Sequence, residues 1–144
     1  MLEISSEMDL PPGLEYAVQT AWETFAKMME MQTREVNLHF NEPETMARLN
    51  EQYRGKAKPT DVLSFAYGGE DHLFGELAIC LAVAEAQAMD HDWDVTTEVI
   101  RLLAHGFAHL MGHDHETDAE EAEMLTLEKE LLAVAGFKNI YPDA

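Results

Sequence analysis

Cysteine, positive charge and long apolar runs are all scarce in this chain. Cys80 is the only cysteine among 144 residues, which excludes an internal disulfide and a cysteine-only zinc site. A lone cysteine suits a reducing compartment. No stretch approaches the roughly 20 apolar residues that span a bilayer. The opening MLEISSEMDLPP has neither the basic region nor the apolar run of a secretory signal. The expectation is a cytoplasmic protein with no membrane contact. Lysine and arginine number 9 against 28 acidic residues, a net charge of −19. Such a surface does not attract polyanions or anionic lipids at long range. Contact with nucleic acid therefore has to be local, or helped by a basic partner.

What is present suffices for one core. No repeat, linker or low-complexity tract divides residues 1–144, which read as a single domain. Leu2 and Ile4 alternate with polar neighbours and suggest a strand. From Leu14 to about Met31, apolar residues recur every three or four positions, the pattern of an amphipathic helix. Arg34 to Phe40 alternates as a strand. Asn41 and Glu44 resemble a capping box opening a short helix that ends near Tyr53. Asp61–Phe65 and Gly75–Cys80 read as two strands of a hairpin with a long loop. Helices are expected over Leu81–Met89, over Thr96–Met111, and from the Thr117/Glu120 capping box to about Ala135. About four strands unevenly interleaved with five helices predict an α+β domain, its helices packed on a mixed four-stranded sheet.

The segment HGFAHLMGHDH, residues 105–115, carries the most chemical information. His105 and His109 are four residues apart, so on a helix both rings leave one face. Gly112 permits a left-handed turn at the helix end, after which His115 can return towards the pair. Histidines near a helix C-terminus also interact well with its dipole, but that alone does not explain a ligand-like spacing. The pattern coincides with the zinc spacing of the metzincin peptidases. Three imidazoles leave the fourth position of a tetrahedral zinc open for chemistry. His113 competes with His115 as third ligand, and Asp114 is placed to orient an imidazole.

Gly106 changes the reaction class. In H-E-x-x-H peptidases the residue after the first histidine is the glutamate general base, and glycine has no side chain to replace it. A metal still lowers the pKa of a bound water to about 7 without a carboxylate. The second signal is a basic island, Arg54, Lys56 and Lys58, in a chain otherwise poor in cations. A planar guanidinium suits phosphate oxygens, while Lys56 and Lys58 read equally well as a solvated loop. Elsewhere the residues read as ordinary structure. The methionines fill apolar helix faces. Met124 sits in a helical pattern, unlike a Met-turn. His39, His72 and His91 are isolated, Cys80 is a small buried group, and Glu76 begins a strand.

Two segments together resemble one family. HGFAHLMGHDH is similar to the H-G-x-x-H-L-x-G-x-D-H motif of the YbeY endoribonucleases, and YRGKAKPTDVLSF, from Tyr53 to Phe65, to that family's other characteristic segment. The resemblance runs from about Leu49 to the last helix. It implies one zinc ion per chain on His105, His109 and His115, and a catalytic role for Arg54. It also implies a single metal-dependent hydrolase domain that cuts single-stranded RNA in small-subunit ribosomal RNA 3′-end maturation and ribosome quality control. Its expected partners are ribosomal RNA and the small subunit or its proteins. This chain departs from the pattern at His113, where tyrosine is usual, at Glu76, where aspartate is usual, and at Ala66, where proline is common. The alternative reading is a zinc-stabilised, non-catalytic assembly factor that binds ribosomal proteins or a GTPase. A metallopeptidase is disfavoured by Gly106.

Overall fold

Alternating apolar residues and helical apolar stripes sort this chain onto the two faces of a sheet. The computed structural model describes residues 2–67, 73–113 and 116–137. In chain order the elements are β1 (Leu2–Ser6), α1 (Leu14–Met28), β2 (Glu35–Asn41), α2 (Pro43–Arg54), β3 (Val62–Ala66), β4 (Leu73–Cys80), α3 (Leu81–Asp90), α4 (Val95–Leu110) and α5 (Asp118–Val134). The strand order is β1-β2-β4-β3. β1, β2 and β4 run parallel. β3 lies antiparallel on the edge, with Val62 opposite Ile79 and Phe65 opposite Glu76. This is the expected α+β architecture of five helices on a mixed four-stranded sheet, and β3 and β4 form the expected hairpin.

Period-2 alternation divides the strands' side chains between faces. Val36, Leu38, Phe40, Leu77 and Ile79 join α1, α4 and α5 in the main core. There Trp22 and Phe25 of α1 meet Phe107 of α4 edge-on, with centroids 5.0 and 5.9 Å apart. On the opposite face, Leu63, Ala78 and Cys80 pack under Met46 of α2 in a smaller cluster. Cys80 is the small buried group expected, and burial pushes its thiol pKa up. Among the described residues no helix is long and apolar enough to cross a membrane.

Helix ends explain the departures from expectation. The capping box at Asn41 and Glu44 is absent. Asn41 completes β2 opposite Cys80, Glu42 is the cap residue without a side-chain bond, and Pro43 opens α2. Proline at the first helical position has a fixed backbone angle suited to the helix, so the chain starts α2 without an asparagine cap. The Thr117 cap does form, its hydroxyl accepting the Glu120 N–H at 3.1 Å. Asp94, not singled out in the sequence, caps α4 through the Thr97 N–H at 2.8 Å.

Candidate metal centre

α4 is the helix that carries the histidines, and the core grips it on nearly every side. From Glu98 to Leu110 every residue is buried except Arg101, His105 and His109. Those three are four residues apart, so they form one row along the only open face. The rings of His105 and His109 are 5.6 Å apart, nearly perpendicular. The spacing argument therefore holds in three dimensions.

The helix stops as Gly112 predicts. Gly112 has φ +95°; its N–H reaches the His109 carbonyl at 3.0 Å, and the His113 N–H reaches that of Ala108 at 3.1 Å. These two bonds make a Schellman turn, which needs a left-handed residue at that position. The turn leaves His113 half-buried just past the helix. Asp114 and His115 lie outside the described residues, as does His72. Among the described residues no three histidine, cysteine, aspartate or glutamate side chains form a metal-holding group; what α4 displays is the pair His105 and His109.

Glu128 of α5 is the residue that sequence reasoning missed. Its side chain is 6% exposed, and its Oε1 lies 2.6 Å from His105 Nδ1. With a proton on Nδ1, that nitrogen donates to the carboxylate and Nε2 keeps its lone pair. A carboxylate behind a histidine is the usual support of a metal-binding imidazole, fixing its tautomer and raising its basicity. The signal was available: Met124, Leu127, Glu128 and Leu131 share the buried stripe of α5, and a lone carboxylate in an apolar stripe requires a partner. His105 and Glu128 line a cavity of about 210 Å³ with Met124, Leu125 and Glu121. Met124 is thus a helical core residue that also borders the site.

Gly106 acquires a second meaning. A Cβ built there would lie 2.8 Å from Leu77 Cδ2 and 3.4 Å from Ser64 Oγ. The position faces β3 and β4 rather than the open side, so a glutamate at 106 collides with the sheet. A side chain at 106 would press on the Leu77 tip and start from the sheet side, away from the open row of His105 and His109.

Arg54 stands elsewhere. With Lys56 and Lys58 it lines a separate cavity between the end of α2 and α3. The three cations of the island do gather, but around their own concavity. Glu76 lines a third and larger cavity of about 610 Å³, on the sheet face that α2 covers, with His39, Asn41 and Tyr53. Glu76 accepts a hydrogen bond from Tyr67 that raises the tyrosine pKa. His39 bonds to Ser5 Oγ, and His91 stacks on Trp93 at the surface.

A buried helix presenting two histidines, one braced by a buried carboxylate, defines an α+β protein built around a candidate metal centre. The family model described as Endoribonuclease YbeY matches residues 3–136. A protein of Alteromonas mediterranea named Endoribonuclease YbeY is 41% identical over 112 residues, covering 75% of this chain and 71% of its own. The solution structure of a Thermotoga maritima protein superposes with a TM-score of 0.70 at 29% identity, over 94% of this chain and 89% of that one. The chain belongs to the endoribonuclease YbeY family, and so to the hydrolases that cut RNA chains internally.

Proposed function

We propose that this protein is a zinc-dependent endoribonuclease for single-stranded RNA, acting in small-subunit ribosomal RNA 3′-end maturation and ribosome quality control. The observation that carries the metal reading is the 2.6 Å bond between Glu128 and His105 Nδ1. It braces the His105 ring with a buried carboxylate, the usual support of a metal-binding imidazole. The residues present fit the ion: His105 and His109 share one face of a rigid helix, and the Gly112 turn redirects the chain towards the segment that contains His115. His105, His109 and His115 would hold one zinc, which would supply Lewis-acid chemistry for phosphodiester cleavage.

The protein groups then have separate tasks. Glu128 holds the His105 ring in one tautomer. Burial of α4 on its remaining sides keeps the two histidines in register. Arg54 donates to phosphate oxygens as charge develops, a contribution of about 3 kcal/mol for a well-placed donor. Since Arg54 and His105 line different cavities, the strand has to lie across both. The net charge of −19 favours a basic ribosomal protein as the partner that brings RNA to this surface. If the protein were only an assembly factor, metal removal would unfold it and purified protein would not cut RNA.

The test is cleavage of a single-stranded RNA by wild type, by chelated wild type and by Arg54→Ala. Both perturbations should suppress cleavage, by about 100-fold for the arginine. A 2′,3′-cyclic phosphate on the product marks attack by the RNA 2′-OH rather than water. Cleavage that survives both perturbations contradicts the proposal.

A further inference from the structure

One transverse row of residues crosses all four strands on the sheet face that α2 covers in part. Glu3 of β1 pairs with Asn37 of β2, Asn37 with Glu76 of β4, and Glu76 with Phe65 of β3. Directly paired residues share a face, on strands about 4.8 Å apart. The row therefore reads carboxylate, amide, carboxylate, aromatic ring. All four line the cavity of about 610 Å³, and none is fully buried. Two tyrosines complete its aromatic end. Tyr53 of α2 lies against Phe65, ring centroids 4.6 Å apart, and is 58% exposed. Tyr67, just past β3, is 43% exposed and donates its hydroxyl proton to Glu76.

Exposed flat rings at the mouth of a polar cavity suit a flat ligand that stacks on them. The polar row narrows its class. Asn37 offers donors and an acceptor, whereas an ionised Glu76 only accepts. A guanidinium or ammonium group carries donors alone and leaves the Asn37 donors unused. Guanine uses both residues. Its N1–H and 2-amino group donate side by side to one carboxylate, and its O6 accepts from a neighbouring amide. Adenine and cytosine set an acceptor nitrogen beside their amino group, and that nitrogen meets the carboxylate lone pairs. Unpaired bases of single-stranded RNA expose this edge. Tyr53 also directly precedes Arg54 in α2, so a strand whose phosphate meets Arg54 brings a base towards this cavity.

We infer that this cavity is a nucleobase subsite that selects guanine in the RNA strand. The base stacks on Tyr53, Glu76 accepts from its N1–H and 2-amino group, and Asn37 donates to O6. Tyr67 holds the Glu76 carboxylate through its hydroxyl. Reading an uncharged base edge also suits a chain of net charge −19, because this contact needs no attraction for phosphates. The subsite is separate from the cavity that His105 lines, so these residues determine specificity and are not catalytic. The inference rests on the proposed RNA substrate and adds which nucleotide of it is selected.

The experiment measures binding of labelled oligouridines carrying one guanine, inosine, adenine or cytosine to the full chain in chelator. Wild type should bind the guanine strand about tenfold more tightly than the inosine strand, which lacks only the 2-amino group, the contribution of one hydrogen bond to a charged group. The adenine and cytosine strands should bind more weakly still. Glu76→Gln should remove the guanine preference; the ratio between strands is the readout, because losing one negative charge shifts all of them alike. Tyr53→Ala should weaken every strand by about tenfold, since stacking is indifferent to the base. Equal binding of the four strands by wild type, which requires no variant to fold, overturns the inference. So does a guanine preference that survives Glu76→Gln. An arginine-rich peptide that binds wild type, loses affinity in Glu76→Gln and leaves guanine without preference assigns the cavity to a cationic partner and overturns it too. If wild type with metal cuts RNA but shows no base preference, the subsite fails and the nuclease reading stands. If the preference is present and no cleavage occurs, the nuclease reading fails and the subsite stands.

Discussion

At the N-terminal end of α4, Glu98 is fully buried and every direction around its carboxylate is filled. Arg101 grips it through Nε at 2.9 Å and Nη2 at 2.7 Å. Gln87 of α3 adds a bond at 2.6 Å and Trp93 one at 3.1 Å. Two turns further on, Glu128 meets the same helix at His105 Nδ1, and a cavity opens beside the pair. One helix therefore carries two buried carboxylates with opposite uses. The first is closed: its acceptors are consumed by the protein, and it locks α3, the following turn and α4 together. The second is open: it orients an imidazole that borders a cavity. A buried charge alone does not mark a functional site; the cavity that opens beside it does.

Breaking the closed end should have the largest effect. Glu98→Ala leaves Arg101, Gln87 and Trp93 without their shared acceptor and should cost about 3 kcal/mol, read as a lower urea midpoint. The acid limb of stability gives a finer version. Burial raises the Glu98 pKa, but bonds from Arg101 and Gln87, the Arg101 charge and the Trp93 bond outweigh it and lower the pKa below the ordinary 4.5. A depressed folded-state pKa contributes stability that is full above the unfolded value and is lost as pH falls through the folded one. Wild type should therefore lose stability below pH 4.5 more steeply than Glu98→Gln.

At the open end the effect should move from stability to metal. Glu128→Gln keeps the shape but weakens support of His105, and should reduce zinc affinity by about 10- to 100-fold in competition with a chelating dye. A change confined to melting temperature would place Glu128 with Glu98 as a structural carboxylate. Smaller still is Gly106→Ala. Its Cβ presses on the flexible tip of Leu77, and overpacking of that kind costs about 1–2 kcal/mol; Gly106→Glu should fail to fold rather than gain peptidase activity. The smallest expected loss is Thr117→Ala, about 1 kcal/mol for one helix cap on α5.

The sequence showed the closed and open ends unequally. Helix and strand positions followed from apolar periodicity, because burial on one face leaves a direct imprint on spacing. The histidine pair and the Gly112 turn were legible for the same local reason. Strand order was not: parallel pairing of β1, β2 and β4 joins residues more than thirty apart, and no local pattern encodes it. Asn41 misled because strand pairing with Cys80 and a proline start outweighed its capping preference. Glu128 was hidden by distance, 23 residues from the histidine it supports, though its place in an apolar stripe pointed to it. Arg54 and His105 line separate cavities because α2 ends on the side of the molecule next to α3, a placement that no local pattern encodes.

The central claim is that the open end of α4 holds a metal which the RNA-cutting activity needs. Metal content and RNA cleavage measured together in wild type and in His109→Ala, with folding checked by circular dichroism, test it most directly. The account predicts about one zinc per wild-type chain, as three-histidine sites bind, and a folded variant that has lost both metal and cleavage. A folded His109→Ala protein that keeps its metal and still cuts RNA would contradict it.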